Sequence, residues 1–265
     1  MNIHPAAVVD PEAELDPGVQ VGPYAVIEKQ VKIAANTKVA ANAVISGHTT
    51  IGENNYIGSF AMIGGPPQDL GYKGEPTELI IGNDNQIREY VSIHRGTPKG
   101  REKTVIGDRN LLMAYTHVAH DCILGSDIIM ANVATLGGHV EVGDRASIGG
   151  LVAVHQFCRI GCHAYIGGVS GISLDVPPYV IIAGTRNRTR ISGINKIGLR
   201  RNGFSKETIK QLGRAFKIIF CSPNLLMKDA IEIARKELGD CEEVLNMVKF
   251  FESSTRGVVK RTIED

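Results

Sequence analysis

The chain has 265 residues, with 29 Lys and Arg against 28 Asp and Glu, so a net charge of +1 argues against a protein built to wrap nucleic acid or coat an anionic membrane. No run approaches the roughly 20 apolar residues that a bilayer span needs, and the opening MNIHPAAVVDPEAEL lacks the basic and apolar regions of a leader, so the expectation is a cytoplasmic protein without a membrane span. Five cysteines without CxxC spacing read as reduced thiols, and 30 glycines with no tryptophan suit a narrow, repetitive core.

Every sixth residue from Ile3 through Val9, Leu15 and Val21 to Ile63 is aliphatic. The period resumes at Ile81, Ile87 and Ile93, then runs in a shifted phase from Ile106 to Ile172. The residue after the aliphatic is often Gly (Gly22, Gly52, Gly107, Gly143), and the one four after it is usually small. A period of six matches neither a helix nor a bare strand, but it fits a short strand and a turn repeated around a prism. Three such sides close a coil of roughly 18 residues, and coils stack about 4.8 Å apart. One aliphatic side chain per edge is expected inside, with the following Gly easing the corner.

Two stretches break the period. Gly64 to Leu79, GGPPQDLGYKGEPTEL, carries three prolines among charges and must loop out, as must Gly96 to Thr104, GTPKGREKT. Long excursions from a rigid scaffold commonly bind a ligand or a partner subunit. After Asp175 to Tyr179 the hexads cease, and a basic stretch with Arg186, Arg188, Arg190, Lys196, Arg200 and Arg201 leads into a helical tail. Ser205 is the expected N-cap of a helix through Phe220; Pro223 should open a second helix ending near Gly239, and a third should run from Cys241 to about Ser253. These helices are expected to cover the end of the prism or pack beside it. The division is residues 1–185 for the prism and 186–265 for the helical domain.

Histidines crowd into one region: His117, His120, His139 and His155. One coil places Gly138 above His120 with His139 beside it, all on turns, so three imidazoles (His120, His139 and His155) should gather outside one edge. A solvated turn histidine explains any one of them, but not the group. Zinc would need three stacked ligands, and Gly138 stands where one is needed. Acyl transfer needs a base, a group that fixes its tautomer, and donors for an oxyanion; His120 with adjacent Asp121 offers the first two, and the bare N–H of Gly138 the third.

The hexads resemble those of the hexapeptide-repeat acyltransferases, which implies a mainly β fold: a left-handed parallel β-helix with a C-terminal α-helical domain. More specifically, IHRGT (93–97), NLLMAYTHVAHDC (110–122), GGLVAVHQFCRIG (149–161) and DVPPYV (175–180) resemble the UDP-N-acetylglucosamine acyltransferases of lipid A biosynthesis. That resemblance implies transfer of an acyl group, as a (R)-3-hydroxyacyl chain, from acyl carrier protein to the sugar's 3-position, the first step of that pathway. It implies a homotrimer with sites between neighbouring prisms, no metal, and no cofactor beyond the phosphopantetheine of the carrier protein. By position His120 matches the general base, Asp121 its orienting carboxylate and Gly138 the oxyanion donor. Gln68, Asp69, His117 and His139 match sugar contacts; His155, Gln156, Asn195 and Arg201 match nucleotide-side contacts; Gly168 matches the residue that limits the acyl chain. The chain departs from the family at Gly71, where lysine is usual, at Ile197, where glutamate is common, and at Asn202, where a second arginine is common. Either Lys73 replaces the missing loop cation, or the acceptor is a 3-amino UDP-sugar acylated to an amide. Three rivals remain: the related N-acyltransferase acting later in the pathway, expected to carry a further N-terminal domain; an acetyl-CoA-dependent acetyltransferase; and a β-prism scaffold without catalysis.

Overall fold

The computed structural model describes residues 2–184, 189–222 and 225–260. Short strands, most of two residues, stack into three sheets of eleven, nine and eight strands, parallel throughout except for the last strand of the first sheet, and these form the faces of a left-handed prism. The first face begins with Asn2–Ile3 and Gln20–Val21, the second with Val8–Val9 and Val26–Ile27, and the third with Glu14–Leu15 and Lys32–Ile33. Each strand pairs in register with the strand one coil away, as Val26 does with Val44 and Ile27 with Ile45.

The aliphatic ladder fills the interior: Ile27, Ile45, Ile63, Ile93 and Val118 are essentially inaccessible. The expectation of one inward residue per edge needs correction. The small residue two places before each aliphatic is buried as well, at Ala25, Ala43, Ala61, Ala134 and Ala164, so the hexad contributes one large and one small side chain. Cys122 and Cys158 occupy two of these small slots, where burial raises their thiols to about 12 and about 11. The role expected for the repeat glycine also changes. A Cβ on Gly22 would come within 2.8 Å of the Ala41 N in the next coil, and one on Gly143 within 2.6 Å of the Cys162 N. Close approach of stacked coils selects glycine there, while the left-handed conformation falls later in the turn, on Asn42, Asp121 or His139. Asn and Asp tolerate that region better than most residues.

Both breaks loop out without disturbing the stack. The buried Asn55 Oδ1 accepts from the Asn85 N at 2.8 Å across 30 residues, and the Asn85 Oδ1 accepts from the Asn110 N at 2.9 Å across 25. The ordinary spacing of 18 then returns between Asn110 and Ile128. Register is therefore kept by a satisfied polar stack as well as by the aliphatic ladder.

The tail departs from expectation at its start. Val180–Ala183 continues the first face in parallel with Tyr165–Ile166, and Arg190–Ile194 then pairs with it antiparallel. A short helix, α1 (Lys196–Arg201), capped by the Asn195 side chain, follows; the sequence reading had no helix there. Next comes α2 (Lys206–Phe220), with the Ser205 hydroxyl accepting from the Thr208 N as predicted. The second long helix, α3 (Met227–Leu238), starts at Met227 with no side-chain cap, not at Pro223, which lies outside the described residues. The last, α4 (Glu242–Glu252), matches its expected span and buries Val244, Met247, Val248 and Phe251. Contacts from the tail reach the final coils: Arg159 stacks on Phe250 with its guanidinium 4.5 Å from the ring centre, and Asp175 bonds both Arg159 and Ser254. At the other end Ile3 and Val8 stay exposed. No described helix is long and apolar enough to cross a membrane.

Candidate active site

One corner of the prism carries most of the chemistry. The turns between the second and third faces include both loop insertions and then, in successive coils, His120–Asp121, Gly138–His139 and Gln156–Phe157. The loops therefore lie just before the histidines in the stack, on the same edge.

Asp121 has a left-handed backbone, φ 61°, and a fully buried carboxylate. The second loop closes over it. The Thr97 hydroxyl donates at 2.6 Å, the Arg101 N at 2.7 Å and the Thr97 N at 3.1 Å, while the His120 Nδ1 lies 2.8 Å away. Burial acts to raise this carboxyl, but the hydrogen bonds from His120, Thr97 and Arg101 outweigh it and hold the group at about 2. Gly100 must be glycine because a Cβ there would run into the carboxylate itself. Arg101 also bonds the Asp121 carbonyl and pairs with Glu141. The sequence reading did not single out Thr97, Gly100 or Arg101; the signal was their place in a break of the repeat.

With Nδ1 engaged, the His120 Nε2 is left without a hydrogen bond among the described residues. Its ring lies beneath Gly138, where a Cβ would stand 2.6 Å from Cε1 and 2.8 Å from Nε2. The Gly138 N–H makes no hydrogen bond among the described residues, although its carbonyl accepts from the Phe157 N at 3.0 Å. His139 meets His120 edge-on at 5.2 Å and stacks on Phe157 at 4.4 Å. Phe157, not His155, completes this cluster. His155 is exposed, with Nδ1 2.8 Å from the Arg256 guanidinium, so the expected grouping of three imidazoles is replaced by two imidazoles and a phenyl ring.

Below His120 lies a second pair. The His117 Nδ1 is 2.7 Å from the Ser92 Oγ, and its ring meets His94 edge-on at 4.8 Å. The sequence reading quoted His94 within a motif but gave it no role. Burial, then the neighbouring His117 and His120, push the His94 imidazole down to about 4; burial likewise lowers His117 and His139. Each of these shifts favours the neutral ring. His120, Asp121 and His139 offer donor atoms within 4.8 Å of one another, a spacing a metal could use. Asp121, however, is committed to four hydrogen-bond donors, including Thr97 and His120, so a metal would have to displace them.

Gln68 and Lys73 are exposed in the first loop, and Asp69, half-buried, accepts from the Gly71 N at 2.8 Å. The Lys73 ammonium turns back to the Leu70 carbonyl at 3.1 Å. Arg95 ties the two loops together by bonding the Gly64 carbonyl and, at 3.0 Å, the Tyr72 hydroxyl.

The remaining predicted residues are spread over three corners. Gln156 is exposed at the histidine corner, one coil beyond Gly138. Gly168 is exposed on the corner between the first and second faces, close to the Gly150 carbonyl. Asn195 caps α1 and donates to the His163 carbonyl at 3.0 Å, so it sits at the corner between the third and first faces with Arg201 at the end of the same helix. Nearby, the Asn202 Oδ1 accepts from Arg145 at 3.3 Å, and Ile197 is exposed. Within one chain, then, His120 and the Asn195–Arg201 group stand on opposite edges of the third face. Arg186 and Arg188 lie outside the described residues.

Residues 175–259 match the family model described as UDP-N-acetylglucosamine O-acyltransferase, domain 2, and residues 12–47 and 30–65 match the bacterial transferase hexapeptide model. The chain is 50% identical over 201 residues to the acyl-[acyl-carrier-protein]–UDP-N-acetylglucosamine O-acyltransferase of Halorhodospira halophila, spanning 76% of this chain and 77% of that one. Among solved structures it resembles LpxA from Acinetobacter baumannii, with a TM-score of 0.93 and 46% identity over 97% of this chain and 99% of that one. It also resembles the UDP-N-acetylglucosamine O-acyltransferase of Moraxella catarrhalis, with a TM-score of 0.94 and 42% identity over 98% and 100%.

Proposed function

The chain belongs to the UDP-N-acetylglucosamine O-acyltransferase family, and from that premise we propose that it transfers an acyl group from acyl carrier protein to the 3-hydroxyl of UDP-N-acetylglucosamine, the first step of lipid A biosynthesis. The observation that carries this reading is the His120 ring, held by Asp121 at 2.8 Å beneath a Gly138 N–H that has no partner among the described residues. His120 Nε2 takes the proton of the 3-hydroxyl as its oxygen attacks the thioester carbonyl. Gly138 N–H bonds the oxyanion of the tetrahedral intermediate, and Asp121 stabilises the imidazolium. Collapse expels the phosphopantetheine thiolate, which takes the proton back from His120. Transfer is direct: the thiols of this corner, Cys122 and Cys158, are buried with raised pKa values, and the Thr97 hydroxyl is spent on the Asp121 carboxylate. The reaction needs no metal and no cofactor apart from the group on the carrier protein.

The working unit is a homotrimer in the cytoplasm. The reading rests on the division of the predicted site between two corners: the base lies on one, and Asn195 and Arg201, assigned to the nucleotide, lie on another. A neighbouring prism that sets its second group against the first corner completes the site. Gln68, Asp69, His117 and His139 then face the sugar, and His155, Gln156, Asn195 and Arg201 the nucleotide. Gly168 borders the acyl groove.

The test is mass spectrometry of the product formed from UDP-N-acetylglucosamine and carrier protein charged with a mixture of 3-hydroxyacyl chain lengths. A monoacylated sugar nucleotide whose acyl group hydroxylamine releases is expected. Acylation of the 3-amino analogue alone would replace the O-acyl reading with the amide-forming one.

A further inference from the structure

Of the cations in and beside the two loops, Lys73, Arg95 and Arg101 are committed, and Lys103 begins the strand that follows. Lys73 bonds the Leu70 carbonyl, Arg95 bonds Gly64 and Tyr72, and Arg101 bonds the Asp121 carbonyl and pairs with Glu141. Lys99 makes no hydrogen bond or ion pair among the described residues. Its backbone is nonetheless well placed, because it lies between Thr97 and Arg101, both anchored on the Asp121 carboxylate, and next to Gly100, which packs against that carboxylate.

From this anchored turn the exposed Lys99 side chain reaches across to the first loop. A Cβ built on Gly71 would stand 3.7 Å from the Lys99 Nζ and 3.2 Å from the Asp69 Oδ1. The ammonium therefore stands at ordinary contact distance from the open side of Gly71, on the side that also faces the Asp69 carboxylate. Asp69 in turn acts electrostatically on His139, which packs on the His120 ring. Asp121 and Asp69 both bring negative charge to this corner, and the acceptor brings a diphosphate. An uncommitted cation at its mouth offsets that repulsion.

We propose that Lys99 is an acceptor-positioning residue, whose ammonium, held over Gly71 beside Asp69, meets the negative charge of the sugar nucleotide as the sugar docks toward His120. This rests on the acyl-transfer reading above. The interaction is made equally in the bound substrate and the transition state, so it is expressed in KM and not in kcat. Because the ammonium is exposed, its contribution is screened by salt.

Steady-state kinetics of full-length Lys99→Ala with UDP-N-acetylglucosamine as the varied substrate test the proposal. A rise in KM of about tenfold, with kcat within about twofold of wild type, is expected; KM should also lose much of its dependence on ionic strength. Lys99→Arg should keep most of the wild-type KM. In a Lys99→Ala/Gly71→Lys double variant, the lysine enters the vacated space from the other loop and should restore KM. An unchanged KM in Lys99→Ala, a loss confined to kcat, or no recovery in the double variant would overturn the proposal while leaving acyl transfer by the wild type in place. A wild-type enzyme that acylates no UDP-sugar would remove both.

Discussion

Asp121 and Asp127 stand one hexad apart, both in the second position of a turn, with nearly the same left-handed backbone, φ 61° and 59°. The scaffold treats them alike. Their surroundings do not. Asp121 is sealed beneath the second loop by Thr97, Arg101 and His120 and held at about 2. Asp127, on the next corner, lies between Arg109 and Arg145 in an exposed ladder, its side chain 30% accessible, and its carboxyl is lowered chiefly by the hydrogen bond from Arg109. The repeat thus supplies equivalent corners, and chemistry arises where a break in the repeat lays a loop over one of them. A buried carboxylate with an imidazole can orient a base; an exposed one between two guanidiniums mainly ties coils together.

The largest contrast should come from the base itself. His120→Ala should fold and assemble as wild type while turnover drops by roughly 100-fold or more, the usual scale for a positioned general base. Near-normal turnover in a folded variant would show that the loop-covered corner is not where the proton moves.

Paired substitutions of the two aspartates compare the corners directly. Asp121→Asn leaves Thr97, Arg101 and His120 sharing one amide oxygen; it should cost about 1–3 kcal/mol of stability and lower turnover by roughly 10-fold to 100-fold. Asp127→Asn should stay within about 1 kcal/mol of wild type, as an exposed ion pair would, with turnover unchanged. Denaturant melts and rates on the two variants decide whether burial makes the difference.

A further contrast concerns pH. His94 titrates at about 4 in the folded chain against 6.5 in the unfolded one. The unfolded state therefore takes up the proton first, and stability falls as pH drops from 6.5 toward 4. Asp121 adds a second decline, from 3.8 toward 2, because its folded carboxyl is held lower than the unfolded one. His94→Gln should flatten the slope of stability between pH 6.5 and 4 and leave the acid limb unaltered; an unchanged slope would place His94 in a less buried setting.

Much of the fold was legible because the hexad is a strict physical constraint: one side of a narrow prism admits one large aliphatic, and Ile3 through Ile172 declare it. The small inner slot and the reason for the repeat glycine were misread, since both depend on how closely stacked coils approach. Of the candidate site, His120, Asp121 and Gly138 could be placed together from spacing alone. Thr97 and Arg101 could not, because a loop outside the repeat has no register from which to read its contacts. His155 sat at the right corner, but its ring follows Arg256, more than 100 residues away in sequence, which no local pattern reveals. The α1 helix was hidden because it is one short turn-rich segment inside a basic stretch.

The central claim is that one chain carries the base and its neighbour carries Asn195 and Arg201. It is tested most directly by mixing two damaged chains, His120→Ala and Arg201→Ala, denatured together and refolded. Random assembly into trimers would give about one site in four with both an intact base and an intact arginine. The account predicts that the mixture regains activity well above the sum of the two parents, approaching that fraction of wild type. Activity no higher than the parents' own, in trimers shown to contain both chains, would mean that each chain builds its site alone.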